Sequence, residues 1–180
     1  TPFLREIMDA LTSNTEVEKV IFMKGAQIGG SELANNFIGY CIDVSPGSIM
    51  VVQPTIDTAR KFSKQRIDTM IEYSPSLKDK VATKGDRSSS NTVLAKDFKG
   101  GMLNIVGATS AVALRSIPVK FLIMDECDAY PIDVDGEGDP IKLAEKRTTT
   151  FSRRKILLIS TPTIENISTI AKEFKKGDQR

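Results

Sequence analysis

The feature that most constrains this chain is a glycine-rich turn between a short apolar run and an amphipathic helix pattern. The apolar run covers residues 20–23, and the turn that follows it covers residues 24–31. Such a turn presents backbone N–H groups and a helix N-terminus, and both attract phosphate. The turn therefore predicts a phosphate-binding loop, with a glycine-rich turn that binds nothing as the alternative. Its residues are Lys24, Gly25, Ala26, Gln27, Ile28, Gly29, Gly30 and Ser31.

A second apolar run, residues 121–124, ends in the acidic pair Asp125 and Glu126. Successive side chains diverge on a strand, so two adjacent carboxylates can take different roles. Asp125 is suited to bind Mg²⁺ together with the Ser31 hydroxyl, and Glu126 to orient and deprotonate a water molecule. A solvated acidic turn continuing to Asp128 is the alternative, but four apolar residues leading into the pair favour a buried strand. Together the two motifs indicate an ATPase.

The phosphate-loop pattern is displaced from its usual form. If Ser31 is the Mg²⁺-binding hydroxyl, Gly30 stands where lysine is expected and Lys24 where the first glycine is expected. An ammonium on a flexible stem can reach the phosphates from either end of the loop. A loop with its lysine at the front edge resembles the ATPase domain of lambda-type phage terminase large subunits. Further segments similar to that family are residues 113–118, 121–131, 137–140 and 159–163.

The resemblance implies a fold and a function for most of the chain. The fold is α/β, a mostly parallel sheet flanked by helices, of the P-loop NTPase class (RecA-like, with the additional strand and catalytic glutamate). The function is Mg²⁺-dependent ATP hydrolysis that drives double-stranded viral DNA into a procapsid, with ATP and Mg²⁺ as cofactors. The implied partners are double-stranded DNA, further copies in a homo-oligomeric ring, the small terminase subunit and the portal. The implied location is the host cytoplasm.

Three further site residues follow from the resemblance. Arg115 matches an arginine thought to reach the γ-phosphate of a neighbouring subunit, and an arginine held by a local carboxylate is the alternative. Ser160 and Thr161 match a coupling motif that senses the γ-phosphate from the strand beside Asp125. An ordinary strand-ending turn at Pro162 is the alternative there. Adenine contacts are expected near Pro2 and Phe3.

Composition sets bounds on these interpretations. The 180 residues fit one domain, and we expect residues 1–180 to be a single ATPase domain excised from a longer protein, without a nuclease constellation. The net charge of +2 means that a DNA surface must be a local patch. No apolar run is long enough to span a bilayer. With no histidine and two cysteines, the chain is not expected to hold a structural zinc site, and reduced thiols are expected.

The apolar periodicity predicts alternating strands and helices, and hence a covered, mostly parallel sheet. Thr55 and Asp139 are predicted helix caps, the latter followed by Pro140 in the first turn. Predicted strands cover residues 20–23, 48–53, 92–96, 102–106, 119–124 and 155–160. Predicted helices cover residues 2–11 and 55–73, and a further predicted helix begins at residue 31. Residues 88–91 are predicted to be a loop.

Two other functions remain open at this stage. A superfamily 2 helicase-like DNA translocase shares the strand-end motifs, but a conventional Gly-Lys-Thr or Gly-Lys-Ser loop and a histidine after the acidic pair are missing. A nucleotide-binding assembly module would use ATP to order an interface with little turnover. Glu126 separates a hydrolase from such a module, because a module has little need of a carboxylate beside the metal ligand, whereas a hydrolase without it loses the group that activates water.

Overall fold

The computed structural model describes residues 2–81, 91–164 and 166–177, so most of the predicted loop at residues 88–91 lies outside the described part. Within that part, six strands form one sheet in the order β1-β6-β5-β2-β4-β3. All neighbouring pairs are parallel except the β3–β4 hairpin. The strands are β1 (Lys19–Met23), β2 (Ile49–Gln53), β3 (Ala95–Phe98), β4 (Gly101–Gly107), β5 (Phe121–Asp125) and β6 (Lys155–Ser160).

The helices cover both faces of the sheet, which confirms the predicted α/β class. Alternate residues of the central strands enter two separate apolar clusters, so that Val51 and Ile123 pack on one face and Val52 and Met124 on the other. The helices are α1 (Leu4–Ala10), α2 (Gly30–Asp43), α3 (Ile56–Phe62), α4 (Asp68–Tyr73), α5 (Pro75–Lys78), α6 (Ala111–Leu114), α7 (Pro140–Glu145) and α8 (Thr169–Lys176). None of these helices is long and apolar enough to cross a bilayer.

The position of β6 decides where the two sequence motifs meet. It lies between β1 and β5, and this intervening strand confirms the additional-strand arrangement. Met23 is paired with Ser160, and Asp125 with Ile159, so the carboxyl ends of the three strands lie at the same edge. Parallel strands bring residues distant in sequence to one edge in this way.

Most predicted elements are found with small shifts of their ends. The strand predicted at residues 92–96 is wrong in its first half, because the Thr92 hydroxyl accepts the N–H groups of Leu94 and Ala95 and turns the chain. The helix predicted over residues 55–73 is interrupted by one π-helical segment, Ser63–Ile67. Thr55 caps α3 as predicted, accepting the Thr58 N–H.

Lys155 anchors the start of β6 to the connection between α1 and β1. Lys155 is only 2% exposed. Its ammonium donates to the carbonyl and the hydroxyl of Thr15 at 2.8 Å each, and also to the Val17 carbonyl. A buried ammonium is tolerated when it is hydrogen-bonded in this way.

We predict that Lys155→Met lowers the free energy of unfolding by about 2–3 kcal/mol, because buried carbonyls lose their donor. Urea denaturation measures this value. Lys61→Met, at an exposed position of α3, is the control and should change it by less than about 0.5 kcal/mol. Equal stability of Lys155→Met and the unchanged chain would contradict the prediction.

Candidate active site

The predicted phosphate loop lies between the end of β1 and the start of α2. Gly29 has a φ of 94°, a left-handed conformation that favours glycine, and it precedes the first helical residue, Gly30. Gln27 also has a positive φ, 57°. Residues 25–28 are exposed, so their backbone can approach a ligand from solvent. The Lys24 N–H donates to the Ser160 carbonyl at 3.0 Å, which fixes the start of the loop to β6.

The Lys24 side chain crosses the N-terminus of α2 and reaches the other two strand ends. Its Nζ donates to Glu126 Oε1 at 3.2 Å and to Thr161 Oγ1 at 3.1 Å. An ideal Cβ placed on Gly30 would lie 2.5 Å from Lys24 Cε and 2.6 Å from Cδ. Gly30 therefore leaves the space that the lysine stem occupies. This is the physical reason for glycine at the position where the usual pattern has lysine.

Asp125 ends β5 as a buried carboxylate with one unpartnered oxygen. The residue is 3% exposed, and its Oδ2 accepts a hydrogen bond from Gln53 Nε2 at 3.2 Å. Its Oδ1 is buried and has no hydrogen-bond partner among the described residues. Burial raises the pKa of the Asp125 carboxyl, the Gln53 hydrogen bond opposes that shift, and the neighbouring Glu126 charge adds to it. An unpartnered oxygen of this kind fits a hard cation such as Mg²⁺.

Glu126 follows in a strained backbone conformation. Its φ of 52° and ψ of 50° lie in the left-handed region, which a non-glycine residue seldom adopts. The chain turns here from β5 into a short 3₁₀ helix, Cys127–Ala129. The turn leaves the Glu126 side chain 44% exposed while Asp125 stays buried. Backbone strain of this kind is concentrated at functional sites.

The two predicted coupling residues have different environments. Thr161 contacts the Lys24 ammonium through its hydroxyl. Ser160 is 1% exposed, and its hydroxyl accepts the Asp128 N–H at 3.2 Å. The structure thus brings the Thr161 hydroxyl to the Lys24 ammonium, whereas the buried Ser160 hydroxyl is paired with the backbone of Asp128.

Arg115 is paired with a carboxylate outside this group of residues. It caps the end of α6, and its Nη2 donates to Glu137 Oε1 at 2.7 Å, the local carboxylate that the sequence left as an alternative. The preceding strand, β4, is four strand positions from β1. At about 4.8 Å between strands, that separation is about 19 Å.

Two side chains at the site were missed by reasoning from sequence. Gln53 holds Asp125, and Asp128 accepts hydrogen bonds from Thr163 and Ile170. Asp128 entered the sequence interpretation only as a continuation of the acidic turn. The signal available in the sequence was that Asp128 is a third acidic side chain, after Asp125 and Glu126, at the end of the strand.

We predict that Gly30→Ala lowers the affinity for ADP, because the added methyl displaces the Lys24 stem. We expect about a tenfold loss, the size of one charge-assisted contact. Calorimetric titration of ADP measures it. The clash is with a flexible side chain and with Ile159 Cγ2 at 3.0 Å, so the fold should persist.

Gly39→Ala is the matched control for this prediction, because a methyl there meets only ordinary contacts, the nearest being Met70 Sδ at 3.5 Å. It lies in the same helix as Gly30 and should bind ADP as the unchanged chain does. Unchanged ADP affinity in Gly30→Ala would contradict the role given to the Lys24 stem.

Comparison with known proteins finds curated large terminase subunits that are similar to this chain. The chain is 27% identical over 172 residues to the large terminase subunit of Enterobacteria phage P21, covering 95% of this chain and 27% of that protein. It is 29% identical over 164 residues to the large terminase subunit of Escherichia phage lambda, covering 91% and 25%. The chain therefore spans about a quarter of the length of these two relatives.

A structural relative shares the fold at lower identity. The large terminase of the thermophilic bacteriophage D6E, solved in complex with ADP, matches with a TM-score of 0.59 and 14% identity, covering 88% of this chain and 38% of that one. The family model described as phage terminase large subunit gpA, ATPase domain, matches residues 1–180. The chain belongs to this family of phage terminase large subunit ATPase domains.

Proposed function

We propose that this chain is a Mg²⁺-dependent ATPase that powers the packaging of double-stranded viral DNA into a procapsid. The observation that carries the proposal is the meeting of Lys24, Glu126 and Thr161 at the phosphate loop, beside the buried Asp125. A cation, a strained acid and a hydroxyl at one sheet edge provide what phosphoryl transfer to water requires. Membership of the terminase ATPase family supports the same chemistry.

Lys24 links phosphate binding to the state of Glu126. In the structure the ammonium is paired with the Glu126 carboxylate at 3.2 Å. The β- and γ-phosphates of ATP are stronger competitors for an ammonium than a half-exposed carboxylate. Their arrival at residues 25–31 would therefore draw Lys24 toward the nucleotide and release Glu126 to orient a water molecule.

Ser31 and Asp125 are the residues that would hold Mg²⁺. The unpartnered Asp125 Oδ1 is the observation that favours this assignment. No cluster of three or more acidic, cysteine or histidine ligands occurs in the described part of the chain. That fits a site completed by phosphate oxygens and water, which is how Mg²⁺ is usually held. When bound, the ion neutralises charge on the phosphates.

The packaging role rests on the family and on the large terminase subunits that the chain matches. A packaging motor would work as a homo-oligomeric ring on the portal, with the small terminase subunit and double-stranded DNA as further partners, in the host cytoplasm. These partners belong to the function of the whole terminase, and this chain would supply the ATP-driven step.

Arg115 is proposed to act on the nucleotide of a neighbouring subunit. In this structure its guanidinium pairs with Glu137 and not with the Lys24, Glu126 and Thr161 group of its own chain. To act there, the guanidinium would have to leave Glu137. In that ion pair the Arg115 side chain is 44% exposed and the Glu137 side chain is 33% exposed. Pairs this exposed are weak enough to exchange partners when subunits assemble.

We predict that Glu126→Gln lowers kcat about 10²- to 10⁴-fold, because the general base is lost. ATP affinity should be kept or raised, because Lys24 no longer has a competing carboxylate. Steady-state ATP hydrolysis with Mg²⁺ and ATP titration measure the two effects. Glu72→Gln, at an exposed position of α4, is the control and should match the unchanged protein.

The same measurements, repeated with and without DNA, separate the alternatives. A helicase-like translocase would also lose turnover in Glu126→Gln, but its hydrolysis would be stimulated by DNA without a portal. If nucleotide binds tightly and neither this chain nor the complete protein that contains it turns ATP over, the ATPase proposal fails and an assembly module takes its place.

We predict that Arg115→Ala and Glu126→Gln are each inactive alone and recover activity when mixed. A Glu126→Gln subunit still supplies Arg115 to the intact site of an Arg115→Ala neighbour, an effect worth about 10³-fold or more in related reactions. Hydrolysis is measured across protein concentrations and mixing ratios. Activity that is linear in concentration and unaffected by Arg115→Ala would remove the arginine finger and leave the ATPase.

A further inference from the structure

Asp128 joins two segments that carry site residues. Its Oδ2 accepts the N–H and the hydroxyl of Thr163, both at 2.8 Å. Its Oδ1 accepts the Ile170 N–H, at 2.7 Å, at the start of α8. Its own N–H donates to the Ser160 hydroxyl at 3.2 Å. One residue of the 3₁₀ helix after β5 therefore fixes the end of β6, the chain beyond it and the start of α8.

These contacts close a ring around the site. Glu126 and Asp128 share one short turn, and Thr163 follows Thr161 by two positions. Lys24 contacts Glu126 at one side of the ring and Thr161 at the other. The Asp128–Thr163 hydrogen bonds tie the two sides together beyond the last pair of the β5–β6 ladder, Asp125 with Ile159.

We propose that Asp128 is a positioning residue of the ATPase site, one that holds residues 161–164 and the start of α8 against the strand end that carries Glu126. The inference rests on the proposed ATPase function and assigns Asp128 no contact with nucleotide. In this role Asp128 couples the phosphate loop to α8, because a displacement of Thr161 toward a bound phosphate is passed on through Asp128.

The chemistry of the contact requires a carboxylate. Three donors from Thr163 and Ile170 converge on its two oxygens and Ser168 adds a side-chain hydrogen bond, whereas an asparagine side chain has only one oxygen to accept them. Partial burial acts to raise the pKa of Asp128, but hydrogen bonds from Ile170, Ser168 and Thr163 outweigh it and hold that pKa below its usual value. Asp128 is thus ionised at neutral pH, where its charge strengthens these hydrogen bonds.

Helix α8 packs against both the Asp128 turn and β1. Ser168 caps it by accepting the Ala171 N–H, and its Ile170 side chain is fully buried in the core. Its Glu173 pairs with Lys19 of β1 at 2.8 Å. The N-terminal end of α8 is held by Asp128 and the helix lies against the strand that leads into the phosphate loop. The helix therefore joins the Asp128 turn to β1.

The test compares Asp128→Asn with Asp139→Asn, which removes the same charge at the cap of α7, where asparagine also caps well. We expect kcat of Asp128→Asn to fall about tenfold or more while KM stays within about twofold, since displaced groups slow chemistry more than binding. Hydrogen exchange at the Thr161, Thr163 and Ile164 amides should respond to ADP in the unchanged protein and in Asp139→Asn but not in Asp128→Asn.

Thr163→Val provides a second variant if Asp128→Asn does not fold. It removes only the hydroxyl donor and should lower kcat about threefold at unchanged KM. Unchanged kcat in a folded Asp128→Asn, or in Thr163→Val when Asp128→Asn does not fold, would overturn the proposal. So would an ADP response at the three amides that persists without the carboxylate.

The exchange measurement also separates this inference from the proposed function. If the unchanged protein binds ADP but never hydrolyses ATP, the ATPase proposal fails on its own. In that case loss of the ADP response in Asp128→Asn still supports the Asp128 link, and a retained response overturns it.

Discussion

The arrangement of this site depends on one buried ammonium, that of Lys24. An ammonium at 8% residue exposure must be hydrogen-bonded, and its two side-chain partners come from the ends of β5 and β6. They can reach it because β6 lies between β1 and β5. Gly30 has no side chain where the lysine stem passes. The sheet order, the loop glycine and the acidic strand end are thus linked through a single cation.

The site also contains features that oppose stability. Glu126 adopts a left-handed backbone conformation, and Asp125 is buried with an oxygen that has no partner among the residues the structure describes. Each such feature costs on the order of 1–3 kcal/mol. The two apolar clusters on the faces of the sheet offset that cost. Conflicts between local preference and the fold are expected where function requires them.

Local signals made much of this fold predictable from sequence. The apolar run before Asp125 is buried on both faces, and Thr55 forms the cap that its hydroxyl and position indicate. The phosphate-loop and acidic motifs each end a strand, so their meeting follows from a parallel sheet. The contacts of Gln53 and Asp128 could not be predicted, because side chains 72 and 42 positions apart have no spacing rule. Such pairs follow only from the register of the folded sheet.

The central claim is that the Lys24 ammonium moves from Glu126 to phosphate when nucleotide binds. A crystal structure of this chain with Mg²⁺ and a non-hydrolysable ATP analogue tests it most directly. The account predicts Lys24 Nζ within hydrogen-bonding distance of the β- or γ-phosphate oxygens, and the Glu126 carboxylate turned toward the γ-phosphate and a water molecule. A Lys24 side chain still paired with Glu126, with the analogue bound away from residues 24–31, would contradict it.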